Sequence, residues 1–259
     1  MAVIPVPRSA ELASAPDVFE AGEVDLSGLD DVEWAELSHA HGSAEDVPEL
    51  IRILGCDDDR WPDALDELFG DKLVHQGRCY SATLPAMAFV ARLLTSGTLP
   101  VQRRLDLYMW LLHITGRWPE SVVADADLAA AESRSPQFAV LTPHAHLAVA
   151  DELPALLARW PVEPPATRFY LACLAALHPV EGQLVVPEVS ALAAATSGTQ
   201  HGAYLRLAEA LLLRDSNLSL SLARDIVGWA GLDPSGLDAP ALTPILRAMS
   251  VLTAGAIRT

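Results

Sequence analysis

Lysine is almost missing from this chain of 259 residues, because Lys72 is the only one among 17 basic residues. The acidic residues number 34, so the formal net charge is −17. Most of this charge lies in residues 1–75, which carry 19 acids against four bases, whereas the other 184 residues are nearly balanced. A negative field of this size repels phosphate backbones. The sequence therefore disfavours nucleic acid as a partner and favours a basic protein.

Cysteines are few, and long apolar runs are missing. Cys56, Cys79 and Cys173 form no C-x-x-C pair, so they predict free thiols. No segment has the roughly 18 consecutive apolar residues of a membrane span. Residues 1–8 lack the basic and apolar regions of a secretory signal. We expect a cytoplasmic protein with no membrane association.

Apolar residues at helical spacing fill most of the chain after Leu29. Residues 1–28 hold three prolines and two glycines without sustained periodicity, which predicts a flexible acidic tail before one helical domain over 29–259. Helical spacing begins at 31–41, and turn residues then separate the predicted helices. These helices cover residues 46–54, 60–69, 82–95, 99–115, 119–131, 137–150, 152–160, 164–177, 184–195, 200–213, 218–230 and 240–252.

The recurrence of short helices predicts an all-α fold, an α-solenoid of about 10–12 helices in stacked antiparallel pairs. Helix pairs repeat at roughly 35–45 residues, as in α-solenoids. The alternative is a single helical bundle. Residues 105–112 favour the solenoid because they are apolar on almost every side, as an inner helix between neighbours must be.

Two stretches carry a resemblance to a known family. Residues 64–70 (ALDELFG) and 75–90 (HQGRCYSATLPAMAFV) resemble a segment of bacterial HEAT-like repeat proteins, and residues 41–50 resemble the family's opening repeat. The likeness covers residues 31–95. It implies an armadillo-type fold and a binding or scaffolding role, and it implies no particular reaction.

Motifs of catalysis are missing. The sequence has no G-x-G-x-x-G, G-x-x-x-x-G-K-[ST], G-x-S-x-G or H-E-x-x-H motif. HEAT-like DNA glycosylases need a basic groove, yet only 13 bases follow residue 75, against 15 acids. We therefore predict no catalytic residue and no cofactor, and the sequence favours binding over enzyme chemistry.

A predicted non-helical insert, Asp71–Ser81, holds the first candidate binding site. The glycine after His75 and Gln76 permits a sharp turn, so imidazole, amide and the phenol of Tyr80 can converge there beside Arg78. The alternative interpretation is structural. In it, His75 and Gln76 satisfy helix ends and Tyr80 packs at a joint between repeats.

Histidine spacing gives no metal site by itself. The pairs His39/His41 and His144/His146 are two residues apart, which on a helix places them about 200° apart. We therefore predict no metal site, while a ligand set drawn from several elements stays open. Three further acidic residues, Asp125, Asp127 and Glu132, are interpreted as part of a solvent-exposed helix face.

The leading functional hypothesis is a protein-interaction module, such as an adaptor, inhibitor or immunity-type protein, with an acidic surface for a basic partner. Asp57, Asp58 and Asp59 precede a predicted helix, where their side chains should reach solvent. They are the second candidate binding site. The alternative is a small-molecule-binding protein or an enzyme of specialised metabolism, with a pocket between helices near His75, Gln76 and Tyr80.

Overall fold

Ten α-helices and two short β-hairpins form the described part of the protein. The structure is a computed structural model that describes residues 24–56, 59–76, 78–116, 141–238 and 242–257. These residues fall into two compact units that divide at Leu157. None of the described helices has the length and apolar character that a membrane span requires.

The N-terminal unit alternates hairpins with helices. It begins with a 3-10 turn, and the helix α2 continues directly into a π-helix. The elements are the 3-10 turn Trp34–Glu36, β1 (Ser38–His39), β2 (Gly42–Ser43), α1 (Val47–Gly55), α2 (Trp61–Leu65), the π-helix Asp66–Leu73, β3 (Val74–His75), β4 (Arg78–Cys79), α3 (Thr83–Thr95), α4 (Val101–Thr115) and α5 (Thr142–Leu157).

One local unit occurs twice in this part of the chain, at an offset of 36 residues. The pair Ser38↔Ser43 of the first hairpin corresponds to Val74↔Cys79 of the second. The helix that follows each hairpin starts at Val47 and at Thr83. Its first turn is closed in the same way, by Val47 N–H to Ala44 O (3.1 Å) and by Thr83 N–H to Tyr80 O (3.0 Å). The N-terminal unit therefore contains a structural repeat of hairpin, helix and helix.

The core of the N-terminal unit lies between these helices. Leu54 of α1, Phe69 of the π-helix and Leu93 of α3 are fully buried. The indole N–H groups of the buried Trp34 and Trp61 donate to the carbonyls of Leu29 (2.8 Å) and Leu54 (3.1 Å), so both rings are satisfied in the core.

Part of the predicted tail packs against this core. Residues 24–28 are described, and Val24 is buried. Arg92 of α3 donates to the carbonyl of Ser27 (2.6 Å). The rest of the predicted tail, residues 1–23, lies outside the described residues.

In the C-terminal unit α8 is the central helix. It packs against α6, α7, α9 and α10. Side chains of Thr199, Asp215 and Thr243 accept the backbone N–H groups that open α8, α9 and α10, because a helix start leaves these donors without partners. The helices of this unit are α6 (Pro165–Leu177), α7 (Val186–Ala195), α8 (Gln200–Leu212), α9 (Ser216–Trp229) and α10 (Pro244–Ala256), with 3-10 turns at Trp160–Val162, Glu181–Val185 and Pro234–Asp238.

Several predicted helix positions are wrong. The last helix, predicted over 240–252, runs over Pro244–Ala256. The predicted helices 137–150 and 152–160 are, in the described residues, a single helix α5 that continues through Asp151 with Pro154 inside it. Helical spacing at 31–41 gives only a 3-10 turn followed by the first hairpin. The predicted helix 119–131 and the acid group at 125–132 lie outside the described residues.

Candidate functional site

The first candidate site lies on the second hairpin. His75 is half-buried on β3, Gln76 follows in the turn with φ of 49°, and Arg78 is exposed on β4. The predicted non-helical insert begins later than expected, since Asp71 is still in the π-helix. Tyr80 is half-buried, and burial raises the pKa of its phenol.

The first hairpin is bonded to both ends of the second. Ala40 N–H in its turn donates to Lys72 O (3.1 Å), just before β3. Ser38 binds the segment after β4, because Ser38 O accepts from Ala82 N–H (3.1 Å) and Ser38 N–H donates to Ser81 Oγ (2.8 Å). These bonds bring residues from the two copies of the repeat together.

The contact between the two hairpins brings two imidazoles and one carboxylate together. Nε2 of His41 lies 2.9 Å from Oδ1 of Asp71, and Nδ1 of His75 lies 3.8 Å from the same oxygen. The two imidazole rings meet edge to face with centroids 5.2 Å apart. The hydrogen bond from His41 lowers the pKa of Asp71, so this carboxylate stays ionised. We call these three residues the His41–Asp71–His75 cluster.

The neighbouring His39 points into the protein. Its Nδ1 accepts the backbone N–H of His41 (3.0 Å), so its proton sits on Nε2, which lies 3.2 Å from Asp46. Burial lowers the pKa of His39, and it outweighs the opposing charge of Asp46. His39 is thus a neutral side chain that holds the turn containing His41.

Lys72 neutralises two acids beside the hairpins. Its Nζ donates to Asp46 Oδ2 (2.6 Å) and lies 3.1 Å from Glu67 Oε1. Burial alone would lower the pKa of Lys72, but the hydrogen bonds to both carboxylates raise it. Lys72 is therefore a structural cation of the N-terminal unit.

Every described acidic residue between 24 and 75 is exposed. This stretch holds thirteen acids and three bases, a net charge of −10. Asp59 of the second candidate site belongs to it, whereas Asp57 and Asp58 lie outside the described residues. We call the thirteen acids the acidic surface: Asp25, Asp30, Asp31, Glu33, Glu36, Glu45, Asp46, Glu49, Asp59, Asp63, Asp66, Glu67 and Asp71.

One acid of this surface lines a groove of about 570 Å³ between α2 and α4. Asp66 and Asp106 supply carboxylates, and Trp61, Met109 and Trp110 supply apolar walls. Burial raises the pKa of Asp106, only partly offset by the hydrogen bond from Gln102, whose Nε2 is 3.1 Å away. We call this the Trp61–Trp110 groove. His75, Gln76 and Tyr80 do not line it.

Two local features shape the groove. A Cβ at Gly70 would lie 3.0 Å from Asp66 Oδ1 and 3.7 Å from the Trp110 ring, so glycine lets acid and indole approach each other. The guanidinium of Arg103 lies 5.2 Å from the centre of the Trp61 ring and donates to Cys56 O (3.0 Å). The Trp61 side of the groove therefore already holds a guanidinium, that of Arg103.

Sequence reasoning found His75 but missed His41, Asp71 and the groove. Asp71 stands four residues before His75, a spacing at which side chains on a helix can meet. The sequence therefore contains the signal for this pair. His41 joins them only through the contact between hairpins. Asp106 and Trp110 share the four-residue spacing on α4, whereas Asp66 comes from another element.

Comparisons with known proteins add no relative. No protein-family model matches the chain, and no curated protein and no solved structure matches it.

Proposed function

We propose that the protein is an interaction module, an adaptor, inhibitor or immunity-type protein, whose acidic surface binds a basic partner. The exposure of all thirteen acids supports this proposal most directly. Of the three bases in the same stretch, Arg52 pairs with Asp30 and Lys72 pairs with Asp46. The net field of this stretch is negative and attracts cationic surfaces.

The Trp61–Trp110 groove is the proposed anchor for a lysine or arginine side chain of that partner. Its carboxylates provide the opposite charge, and the half-buried indole of Trp110 provides a cation–π surface. Half-burial of Asp106 disfavours its ionised form. A cation from the partner would stabilise the ionised form of this carboxylate. The electrostatic attraction in the groove should therefore be stronger than at a fully exposed carboxylate.

The architecture that we propose is a HEAT-like, armadillo-type repeat array. The 36-residue repetition of hairpin, helix and helix supports it, as do helices packed in pairs. Arrays of this type present extended binding surfaces built from successive repeats. All thirteen acids of the acidic surface lie between residues 25 and 71, within the first copy of this repeat and the segment before it, which fits a partner that binds this end of the array.

The groove can be tested with peptides of defined charge. Binding of fluorescent oligo-arginine and oligo-glutamate to the full chain is measured by anisotropy. We expect Asp66→Asn with Asp106→Asn to weaken oligo-arginine binding about tenfold, because two carboxylates are lost from a partly desolvated site. The fold should tolerate these changes, since asparagine keeps a hydrogen-bond acceptor and removes a half-buried charge.

The matched control replaces two exposed acids of the C-terminal unit, Glu188→Gln with Asp225→Asn. It should bind oligo-arginine as the wild type does. Equal loss in both double variants would show a general charge effect and would contradict the groove as anchor. Oligo-glutamate binding as tight as oligo-arginine binding would contradict the proposal as a whole.

The groove volume supports a second candidate, a small-molecule-binding protein. A space of about 570 Å³ is within the roughly 300–1,000 Å³ of ligand pockets. The acids and the Trp110 indole of its lining would select a cationic ligand. Native mass spectrometry of the purified chain tests this candidate, because a copurifying cation displaced by oligo-arginine would place both in the groove.

A further inference from the structure

We propose that the His41–Asp71–His75 cluster binds a divalent transition-metal ion, for which Zn²⁺ is the probe. Asp71 also belongs to the acidic surface, but none of the three residues lines the Trp61–Trp110 groove, so metal binding can be tested separately from the proposed anchor. It concerns a junction where each copy of the repeat contributes one imidazole. His41 is in the turn of the first hairpin, and His75 is on the second.

The three donor atoms already lie close enough to share an ion. One ligand atom each from His41, Asp71 and His75 lies within 4.8 Å of the other two. Zinc bonds of about 2.0–2.1 Å in a tetrahedral site place its ligand atoms about 3.4 Å apart. The observed separations of 2.9 Å and 3.8 Å from Asp71 to the two imidazoles bracket this value.

The side chains have room for the small adjustment that an ion requires. The exposed fractions are 48% for His41, 54% for Asp71 and 34% for His75. The backbone beneath them is fixed, because His39 Nδ1 accepts His41 N–H and Ala40 N–H donates to Lys72 O. Fixed backbone with adjustable side chains lets the ligands close on an ion without refolding the turn.

The donor set selects the class of ion. Two imidazole nitrogens with one carboxylate suit zinc, nickel or copper, whereas magnesium and calcium prefer oxygen ligands. Three protein ligands leave a further position for water or for a donor from another molecule. Arg78 is the strand partner of His75 and opposes a cation, but the acidic residues of this unit outnumber the bases and favour one.

A bound ion would join the two hairpins. His41 and His75 belong to successive copies of the repeat. A metal ion between them would add coordination bonds to the hydrogen bonds that already connect the two hairpins. Ligands that bind only the folded state stabilise it. Metal binding is therefore expected to raise the thermal midpoint of the full chain.

Zinc binding can be measured on the full chain by competition with a chromophoric chelator. We expect one ion held through the cluster, with affinity reduced at least about tenfold by His41→Ala, His75→Ala or Asp71→Asn. His144→Ala, which removes an exposed histidine elsewhere in the same unit, should leave the affinity unchanged. Zinc should raise the thermal midpoint of the wild type and of His144→Ala, and not that of His75→Ala, while magnesium should have no effect.

Three outcomes would overturn the proposal. The first is no competition by the wild type at zinc concentrations that saturate the chelator. The second is wild-type affinity in the cluster variants, and the third is loss of binding in His144→Ala. Circular dichroism checks that each variant is folded; if His41→Ala is not, His41→Gln replaces it, because glutamine keeps a hydrogen-bond donor for Asp71 without an imidazole.

Discussion

Two histidines of the first hairpin, two residues apart, have different environments. His39 is 6% exposed and contacts Asp46, whereas His41 is exposed beside Asp71. The prediction of no metal site treated this pair as helical. In the structure His39 is on β1 and His41 is in the turn, so the helical argument does not apply to them. His39 is buried, and His41 lies beside Asp71, a ligand from another element.

This difference predicts unequal costs of replacement. His39→Ala should lower the free energy of unfolding by about 2–3 kcal/mol, because it removes two hydrogen bonds and leaves a cavity. His41→Ala should cost under about 0.5 kcal/mol in metal-free buffer, as expected at an exposed site. Urea unfolding followed by circular dichroism measures both, and equal costs would contradict the assigned roles.

At the level of elements, the sequence predicts helices far better than hairpins. Proline, glycine and threonine mark the ends of α6 and α8, whose observed bounds differ from the predicted ones by no more than one residue. Two-residue strands are too short to produce an alternating pattern. The hairpins also depend on tertiary bonds such as Ala40 N–H to Lys72 O, which no local pattern contains.

Close helix packing gives a test of the C-terminal unit. A Cβ added to Gly255 of α10 would lie 2.1 Å from the ring of the buried Tyr204 on α8. Gly255→Ala should therefore destabilise the unit by about 1–3 kcal/mol through overpacking, although alanine otherwise favours a helix by roughly 1 kcal/mol.

Gly228 near the end of α9 is the matched control. A Cβ there meets no atom within 4 Å, and its φ is not positive. Gly228→Ala should leave stability unchanged or raise it by up to about 1 kcal/mol. Urea midpoints that move in the same direction for both variants would contradict the packing described between α8 and α10.

For the whole molecule, the charge distribution is the property that sequence predicts best. Charged side chains are usually exposed, because burying an unpaired charge costs desolvation free energy. Lys72 is the informative exception, since it is buried between carboxylates rather than available to a partner. The groove required knowledge of how α2 and α4 approach, and Asp66 and Asp106 are 40 residues apart in the chain.

Binding of a basic partner by the acidic surface can be tested on the full chain. A partner is first captured from native lysate on the immobilised full chain. Its association rate is then measured at about 50 and 500 mM salt, conditions that screen exposed charges differently. Three forms are compared: the wild type, a surface variant (Glu33→Gln, Glu45→Gln, Asp63→Asn) and a control variant (Asp151→Asn, Glu188→Gln, Asp225→Asn). All six acids are exposed, and the control removes the same charge outside the acidic surface.

We expect a basic partner whose association is slowed by salt and by the surface variant, because opposed charges act mainly on the association rate. The control variant should associate like the wild type. An acidic partner, or one whose rate is the same at both salt concentrations and in all three forms, would contradict the proposed function.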